Sequence, residues 1–369
     1  MKLRWERRLD VPKWLLVVAP AAAVLGALLL GAMLMLATGT DPVKVYGVML
    51  KYSFGSKNDL AETGVKMIPL LLCSLGVGMA MRMQLWNVGA EGQFYAGAIA
   101  AAWLPLFHPD LPAGIMLPGM FALGLLGGGI WALLAAIPRA YWGIDEVITT
   151  LMFNYIAVLG VAYLATGPWQ DQNGNRSFPA SPLFVETAHL PTFGDTRMHL
   201  GLIFGLVAAV ILALVLSRTS WGYQIRVIGE SPKAAKYAGM QVARNILLVM
   251  FLSGGLAGLA GMTEVSGIVH RIQPEFSAGY GFSAIIVAAL ARGNPLATVL
   301  VSFLFGALIV GGFALQTVNM SSKVVLMLQG AILFAVLASD FFVHYRVHFA
   351  RRPRAIQPVN QSADRKALS

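Results

Sequence analysis

Apolar residues run along this chain in blocks of about 20, separated by short polar breaks, which is the length a helix needs to cross a bilayer. Ten blocks predict ten spans, at 14–36, 65–83, 88–107, 113–137, 146–166, 199–217, 245–267, 281–292, 295–315 and 323–341. The eighth has 12 residues, so as a helix it covers only about 18 Å of a hydrocarbon core ~30 Å thick. It predicts a broken or re-entrant helix shielded by its neighbours, with Arg292-Gly293-Asn294-Pro295 as the break. The expected fold is an all-α polytopic membrane protein of about ten transmembrane helices, one short or broken.

Charge orients that fold. With the N-terminus placed in the cytoplasm, 19 of the 27 Lys and Arg residues fall on cytoplasmic segments and 8 outside, as the positive-inside rule requires. Both termini are then cytoplasmic. The chain divides into a basic head at 1–13, a transmembrane domain at 14–341 and a cytoplasmic tail at 342–369. Within the domain, 218–244 is cytoplasmic. The Pro-, Gly- and Asn-rich 167–198 is external, as an ordered loop or short interfacial pieces. The tail from about 350 reads as disordered.

Composition agrees. Charged residues make up 12% of the chain, against about 25% in soluble domains. The net charge of +10 sits in loops between apolar spans, so it is no nucleic-acid signal. The one cysteine, Cys73, rules out an internal disulfide. The first span, behind Lys2, Arg4, Arg7, Arg8 and Lys13, is too long for a signal-peptide core and reads as a retained helix.

One stretch stands apart from the spans. Arg218 to Arg244 is a polar, basic island with a fold signal of its own. Gly229-Glu230-Ser231-Pro232 reads as a turn, with Ser231 as N-cap and Pro232 in a first helical turn, and Gly239 ends the short helix. Ala234, Ala235 and Ala238 give it a small-residue face that another protein can approach closely. A mere connection needs no such helix, so the island is expected to be a docking element.

Signals for chemistry are sparse. No G-x-x-x-x-G-K-S/T motif exists, so the chain holds no P-loop for ATP. H-E-x-x-H and G-x-S-x-G are absent too. His344 and His348 have i, i+4 spacing but no third ligand nearby, and an interfacial role is the better reading. Asn87, Glu91 and Gln93 enter the third span. They fit a helix cap and dipole partner, or polar groups at the inner end of a pore. Asp145-Glu146 opens the fifth span as a helix N-terminus, and Asn154 and Tyr155 further in fit either a solute or a neighbouring helix. Glu264 and Ser266 mark a pore mouth or an interface. Ser253, Gly254, Gly255, Gly258 and Gly261 form a packing face.

These motifs match a known family. The loop WGYQIRVIGESPKAAKYAGM resembles the cytoplasmic coupling loop of ABC-importer inner-membrane permeases of the ribose/branched-chain amino acid class. WNVGAEGQFYAGA resembles that family's N-I-G-x-E-G-Q signature, and ALARGNPLATVLVSFLFGAL its G-x-x-N-P-x-G segment. Arg292 stands where Gly is common, and Ala297 where Gly often follows Pro. The resemblance spans about 60–340, with the motifs in family order. The segment from Tyr46 to Gln93 and the loop GPWQDQNGNRSFPASP look like the nucleoside-type permeases of the simple-sugar subgroup.

The resemblance implies a permease subunit in a bacterial inner membrane. It works with a second permease subunit, two ABC ATPase subunits that bind ATP and Mg²⁺, and an extracytoplasmic substrate-binding protein. This chain binds no cofactor. By analogy Gly229, Glu230, Ser231, Pro232, Lys233, Ala234, Ala235, Tyr237 and Gly239 form the ATPase-coupling element. Asn87, Glu91, Gln93, Asn154, Tyr155 and Asn294 are the expected solute-path positions, for a nucleoside or related sugar-like solute. A secondary transporter driven by an ion gradient is the alternative; it requires paired ionisable groups at the midplane, and the acids here cluster at helix ends. An intramembrane enzyme lacks a nucleophile–base pair.

Overall fold

The computed structural model describes residues 2–7, 12, 15–37, 39–172, 178–318, 321 and 323–350. Residues 1, 8–11 and 13 of the basic head and the tail beyond 350 lie outside these. The helices in chain order are α1 (Leu15–Ala37), α2 (Pro42–Phe54), α3 (Lys57–Arg82), α4 (Ala90–Phe107), α5 (Ala113–Trp142), α6 (Glu146–Thr166), α7 (Gly201–Arg218), α8 (Ser220–Glu230), α9 (Pro232–Tyr237), α10 (Val242–Glu264), α11 (Tyr280–Leu290), α12 (Pro295–Ala314) and α13 (Lys323–His344). A π turn, Val265–Val269, extends α10.

Among the described residues, seven helices are long and apolar enough to cross a membrane: α1, α3, α5, α6, α7, α10 and α12. The chain is thus a multi-pass membrane protein. α11, at 11 residues, is the short element that the sequence anticipated, and α13 has a shorter apolar stretch, Lys323–Ser339. Two expectations change. The second span begins at Lys57, because Ser56 caps the helix there by accepting from the Asp59 N–H. The stretch at 37–64 also contains a separate helix, α2, capped by Asp41.

The bundle is all-helical, as expected, and one short pairing is added outside it. Lys2–Arg7 (β1) pairs antiparallel with Tyr345–Ala350 (β2), Glu6 opposite Arg346. Both segments alternate polar and apolar residues, the period of a strand. These two segments therefore meet at one end of the bundle. The helix stops at His344, so His344 and His348 do not share a helical face.

The core lies around α3 and α10. Buried positions take 89% of the apolar window of α3, against 22% in α1 and in α6, so α3 is central and the other two are peripheral. α10 packs against α3, α4 and α5. Small residues make that closeness possible. A Cβ on Gly97 of α4 would stand 2.1 Å from the Gly258 Cα of α10, and one on Gly258 would stand 2.2 Å from the Gly124 carbonyl oxygen of α5. Three backbones thus touch at one crossing, the packing that replaces hydrophobic drive between helices in lipid.

At the end of the bundle away from α9, the loop before α7 is strapped to the end of α10. Ser181 N–H donates to the Ile272 carbonyl at 2.8 Å, Phe184 N–H to His270 at 2.8 Å and Leu190 N–H to Ser266 at 3.0 Å. His189 stacks on His270, ring centroids 3.8 Å apart. His199, in the loop ahead of α7, is buried and accepts from the Gly201 N–H. Its pKa falls to about 4, chiefly by burial, with His270, Lys66 and Arg197 adding positive charge. Burial and His189 also hold His270 low.

Gly258→Leu is expected to destabilise the purified chain by about 3 kcal/mol or to block its folding, as overpacking against backbone does. Gly160→Ala, where an added Cβ meets nothing within 4 Å, is expected to leave the melting temperature unchanged. A depressed histidine pKa means that the unfolded state binds more protons. The strap's stability is therefore full above about pH 6.5 and declines as pH falls towards 4, through the folded pKa of His199. Protection of 181–200 from hydrogen exchange, corrected for the intrinsic rate at each pH, is expected to fall over that window and to vary less with pH in His199→Gln.

Candidate functional site

Two polar features stand out on this apolar frame. The first is the exposed α8–α9 pair. Thr219 caps α8 by accepting from Gly222 N–H at 3.1 Å, and Ser231 caps α9 by accepting from Ala234 N–H at 3.2 Å. Pro232 fills the first turn of α9, and Gly239 ends it at φ +78°. That φ is left-handed, a conformation glycine adopts without a Cβ clash.

The faces of this pair differ from the sequence expectation in two places. Ala235 is fully buried, packed with Ile225, Ile228 and Met83 of its own chain. Gly229 lies against the end of α3, where a Cβ would stand 2.5 Å from the Arg82 carbonyl oxygen. Both small residues therefore seat α8–α9 on the bundle. A six-residue helix needs one anchoring face, and its alanine stripe wraps around both sides. Glu230, Pro232, Lys233, Ala234, Lys236, Tyr237, Ala238 and Gly239 are exposed, and Tyr237 is 94% so.

Asn245, one turn into α10, ties this pair to the core. It accepts from the Trp221 indole at 2.9 Å and donates to Gln224 Oε1 at 3.1 Å and to the Gln241 carbonyl at 3.0 Å. No sequence motif marked Asn245. Its place within one turn of a helix start beside a polar island was the available signal.

The second feature is a buried polar knot where α4 begins. Between α3 and α4 the chain is non-helical from Met83 to Gly89, with Gln84 at φ +58°. This stretch runs beside α6. Asn154, which binds it, sits eight residues past Glu146, about 12 Å along the helix. In a membrane such backbone must be satisfied by protein groups.

Asn87 and Asn154 do part of that work, and Gln93 and Glu91 are bonded beside them. Asn87 and Gln93 form a reciprocal amide pair at 2.8 and 2.9 Å, and Asn87 also donates to Ser253 of α10 at 2.8 Å. Asn87 accepts from Gly89 N–H, so it caps the turn ahead of the helix, while Gly89 is the N-cap itself. Asn154 accepts from Gly92 N–H at 2.8 Å and donates to the Val88 carbonyl at 2.9 Å. Glu91 accepts from Gly281 N–H of α11 at 2.6 Å. All four are buried and bonded.

The remaining two path candidates lie elsewhere. Asn294 is exposed and caps α12 through Leu296 N–H. Tyr155 is 63% exposed, on the face of α6 opposite Asn154.

Several contacts had no sequence signal. The N-termini of α4 and α11 press together: a Cβ on Gly281 would stand 2.2 Å from Glu91 N. Lys66 and Glu264 pair at 3.4 Å beside the Tyr280 hydroxyl. Glu146 holds Arg139 at 3.1 Å and the Trp86 N–H at 3.0 Å, a wider role than dipole partner. At the end of α11, Arg292 adopts φ +50° and Gly293 φ +63°, and Arg82 Nε donates to the Gly293 carbonyl at 2.8 Å. A left-handed angle at 292 explains physically why glycine suits that position.

A spanning bundle that keeps its polar backbone breaks buried, and presents a capped helix outside the bundle, has the construction of a transport subunit. Residues 60–337 match the family described as branched-chain amino acid transport system / permease component, and the chain belongs to that family. It is 34% identical to the glucose ABC transporter permease protein TsgB13 of Haloferax volcanii, over 95% of this chain and 94% of that one. It is 32% identical to the guanosine ABC transporter permease protein NupP of Bacillus subtilis, over 88% and 94%. With the nucleoside ABC transporter permease protein NupB of Lactococcus lactis it shares 29% identity, over 95% and 98%. The chain is accordingly an ABC transporter permease subunit, not itself an enzyme.

Asn154→Ala leaves Gly92 N–H and the Val88 carbonyl unpaired in a buried site. It is expected to cost about 2 kcal/mol or more, read as a lowered melting temperature in detergent. Tyr155→Phe, on the exposed face, is expected to leave that temperature unchanged.

Proposed function

We propose that this permease subunit carries a nucleoside or related sugar-like solute into a bacterial cell across the cytoplasmic membrane. Its ten spans are α1, α3, α4, α5, α6, α7, α10, α11, α12 and α13, with both ends of the chain cytoplasmic. The pairing of β1 with β2 supports ends on one side, and the charge asymmetry supports the cytoplasm as that side. Of two ABC ATPase subunits, which bind ATP and Mg²⁺, one docks at α9 and the other at the second permease subunit; this chain binds no cofactor. A second permease subunit completes the path, and an extracytoplasmic binding protein delivers the solute.

The observation that carries this reading is the exposed, capped α9, joined to the core helix α10 through Asn245. Lys233, Ala234, Tyr237 and Ala238 face a partner, with Glu230 and Lys236 at the rim. A displacement of α9 passes through α8 and Asn245 to α10, and from Ser253 of α10 to Asn87. Ser253 lies eight residues beyond Asn245, about 12 Å further along the helix. α10 is thus the lever that converts ATPase closure into movement at the break before α4. The knot of Asn87, Glu91, Gln93 and Asn154 serves the path by shaping its wall. Tyr155 is the polar group offered to solute on the exposed face of α6, and Asn294 acts as the cap of α12. The names of the relatives, which concern nucleosides, guanosine and glucose, support the solute class.

Proteoliposomes holding the chain with its ATPase, second permease and binding protein provide the test. ATP-dependent uptake of guanosine or uridine is expected, with glucose as the comparison solute. Ala234→Trp, on the exposed face, is expected to lower uptake about tenfold, as a blocked interface centre does, while the chain melts normally. Ala235→Trp is expected to unfold the α8–α9 pair. Asn245→Ala is expected to preserve ATP hydrolysis while uptake falls. Uptake without the ATPase, or unchanged uptake in Ala234→Trp, overturns the reading.

A further inference from the structure

A cavity of about 440 Å³ opens beside the end of α3, between α1, α3, α11 and α13. Its walls combine two chemistries. Pro20, Met81 and Leu337 are apolar, while Arg82, Arg292 and the half-exposed Trp86 bring two guanidiniums and an indole. All of its elements reach it at one level of the bundle. Pro20 lies in the second turn of α1, Arg82 is the last residue of α3, Arg292 follows α11, and Leu337 is in the last third of α13. The level is therefore where a helix bundle leaves the hydrocarbon for the headgroup region, and indole and guanidinium side chains concentrate there.

Both arginines are anchored, Arg82 through its side chain and Arg292 through its backbone. Arg82 is fixed by its Nε bond to the Gly293 carbonyl. Arg292 is kept at φ +50°, an angle where a non-glycine residue is strained, and such strain persists where the surroundings demand it. Arg226 of α8 stands close enough to Arg82 to act on its charge. With Asp340 counted, next in the chain beyond the lining stretch of α13, the lining and its flank remain net positive. The sequence ahead of α1 adds Lys2, Arg4, Arg7, Arg8 and Lys13. Basic clusters beside a spanning helix, and basic pockets between such helices, recognise anionic lipid headgroups.

We propose that this cavity is a binding site for an anionic phospholipid. The phosphate sits between Arg82 and Arg292, the indole of Trp86 lies at the glycerol level, and an acyl chain runs along Pro20 and Leu337. A lipid is favoured over a soluble anion for two reasons. The apolar wall gives a free phosphate nothing to bury, and α1 is a peripheral apolar helix, which leaves its outer side open to acyl chains. Bound there, the lipid fills the space between the outer pair α1–α13 and the core helices α3 and α11. The site does not depend on the identity of the transported solute.

The test uses the purified full chain in a neutral detergent, titrated with phosphatidylglycerol, phosphatidylcholine or inorganic phosphate. Native mass spectrometry and thermal melting give the readouts. Phosphatidylglycerol is expected to remain bound and to raise the melting temperature, while the other two leave it unchanged. Arg292→Gln keeps a side chain at the strained angle and is expected to weaken the apparent phosphatidylglycerol affinity about fivefold, the worth of one cation near an anionic headgroup. Arg82→Gln is expected to do the same; should it fail to fold, Arg292→Gln decides alone. Arg197→Gln, which removes the exposed partner of Glu62 at the other end, is expected to bind as the unaltered chain does. Equal stabilisation by phosphatidylcholine, or unchanged affinity in Arg292→Gln, overturns the proposal. So does a shift produced by phosphate alone, which marks a soluble-anion site, or displacement of the lipid by guanosine, which marks a solute vestibule.

Discussion

Backbone that leaves the helix inside a bilayer has no water to turn to, and this constraint governs the structure. The chain breaks its helices within the bundle at two places, before α4 and around α11. At the first, Asn87, Asn154 and Glu146 supply the missing partners. At the second, Glu91 accepts from the Gly281 N–H in the first turn of α11, and Arg82 Nε donates to the Gly293 carbonyl just beyond its end. Each break is closed by side chains from other helices, so neither forms without the tertiary fold around it. An unpaired amide at such depth costs several kcal/mol, which makes these bonds a condition of the architecture.

The glycine crossing of α4, α5 and α10 answers the same constraint by another means. Helices in lipid gain little from burying apolar surface against each other, so they gain from contact at close range. Gly97, Gly124 and Gly258 bring three backbones together, and α10 lies against α3, α4 and α5. Asn245 links its start to α8, and Ser253 links its middle to the break before α4. One stiff element therefore touches both the exposed α8–α9 pair and the polar knot.

The sequence showed some of this directly. Spans of about 20 apolar residues, the short α11, the capped α9 and the Gly239 stop follow from local rules of length, capping and φ, and the structure contains each of them. Asn87, Glu91, Gln93 and Asn154 were identifiable as unusual because polar groups entering a span are costly. Their partners were not. Ser253, Gly281 and the Gly92 N–H lie between 62 and 190 residues away in the chain from the groups they bind, and no periodicity carries such pairings. Ala235 shows the limit in miniature. Three alanines in a short helix look alike in sequence, yet one is fully buried and two are exposed, because a helix this short turns only one face to its support.

By itself, then, the sequence determined the class of the fold, the positions of its breaks and the presence of a separate capped helix. These depend on hydrophobic length and on residues adjacent in the chain. Tertiary structure alone decided what the polar residues are for. Whether a carboxylate or an amide in a span meets solute or protein depends on which distant backbone group stands opposite it. Here Glu91 meets Gly281, Asn154 meets Gly92 and Val88, and Tyr155 faces outward. The physical reason is that a hydrogen bond extends about 3 Å, and only packing brings groups from remote parts of the chain within that reach.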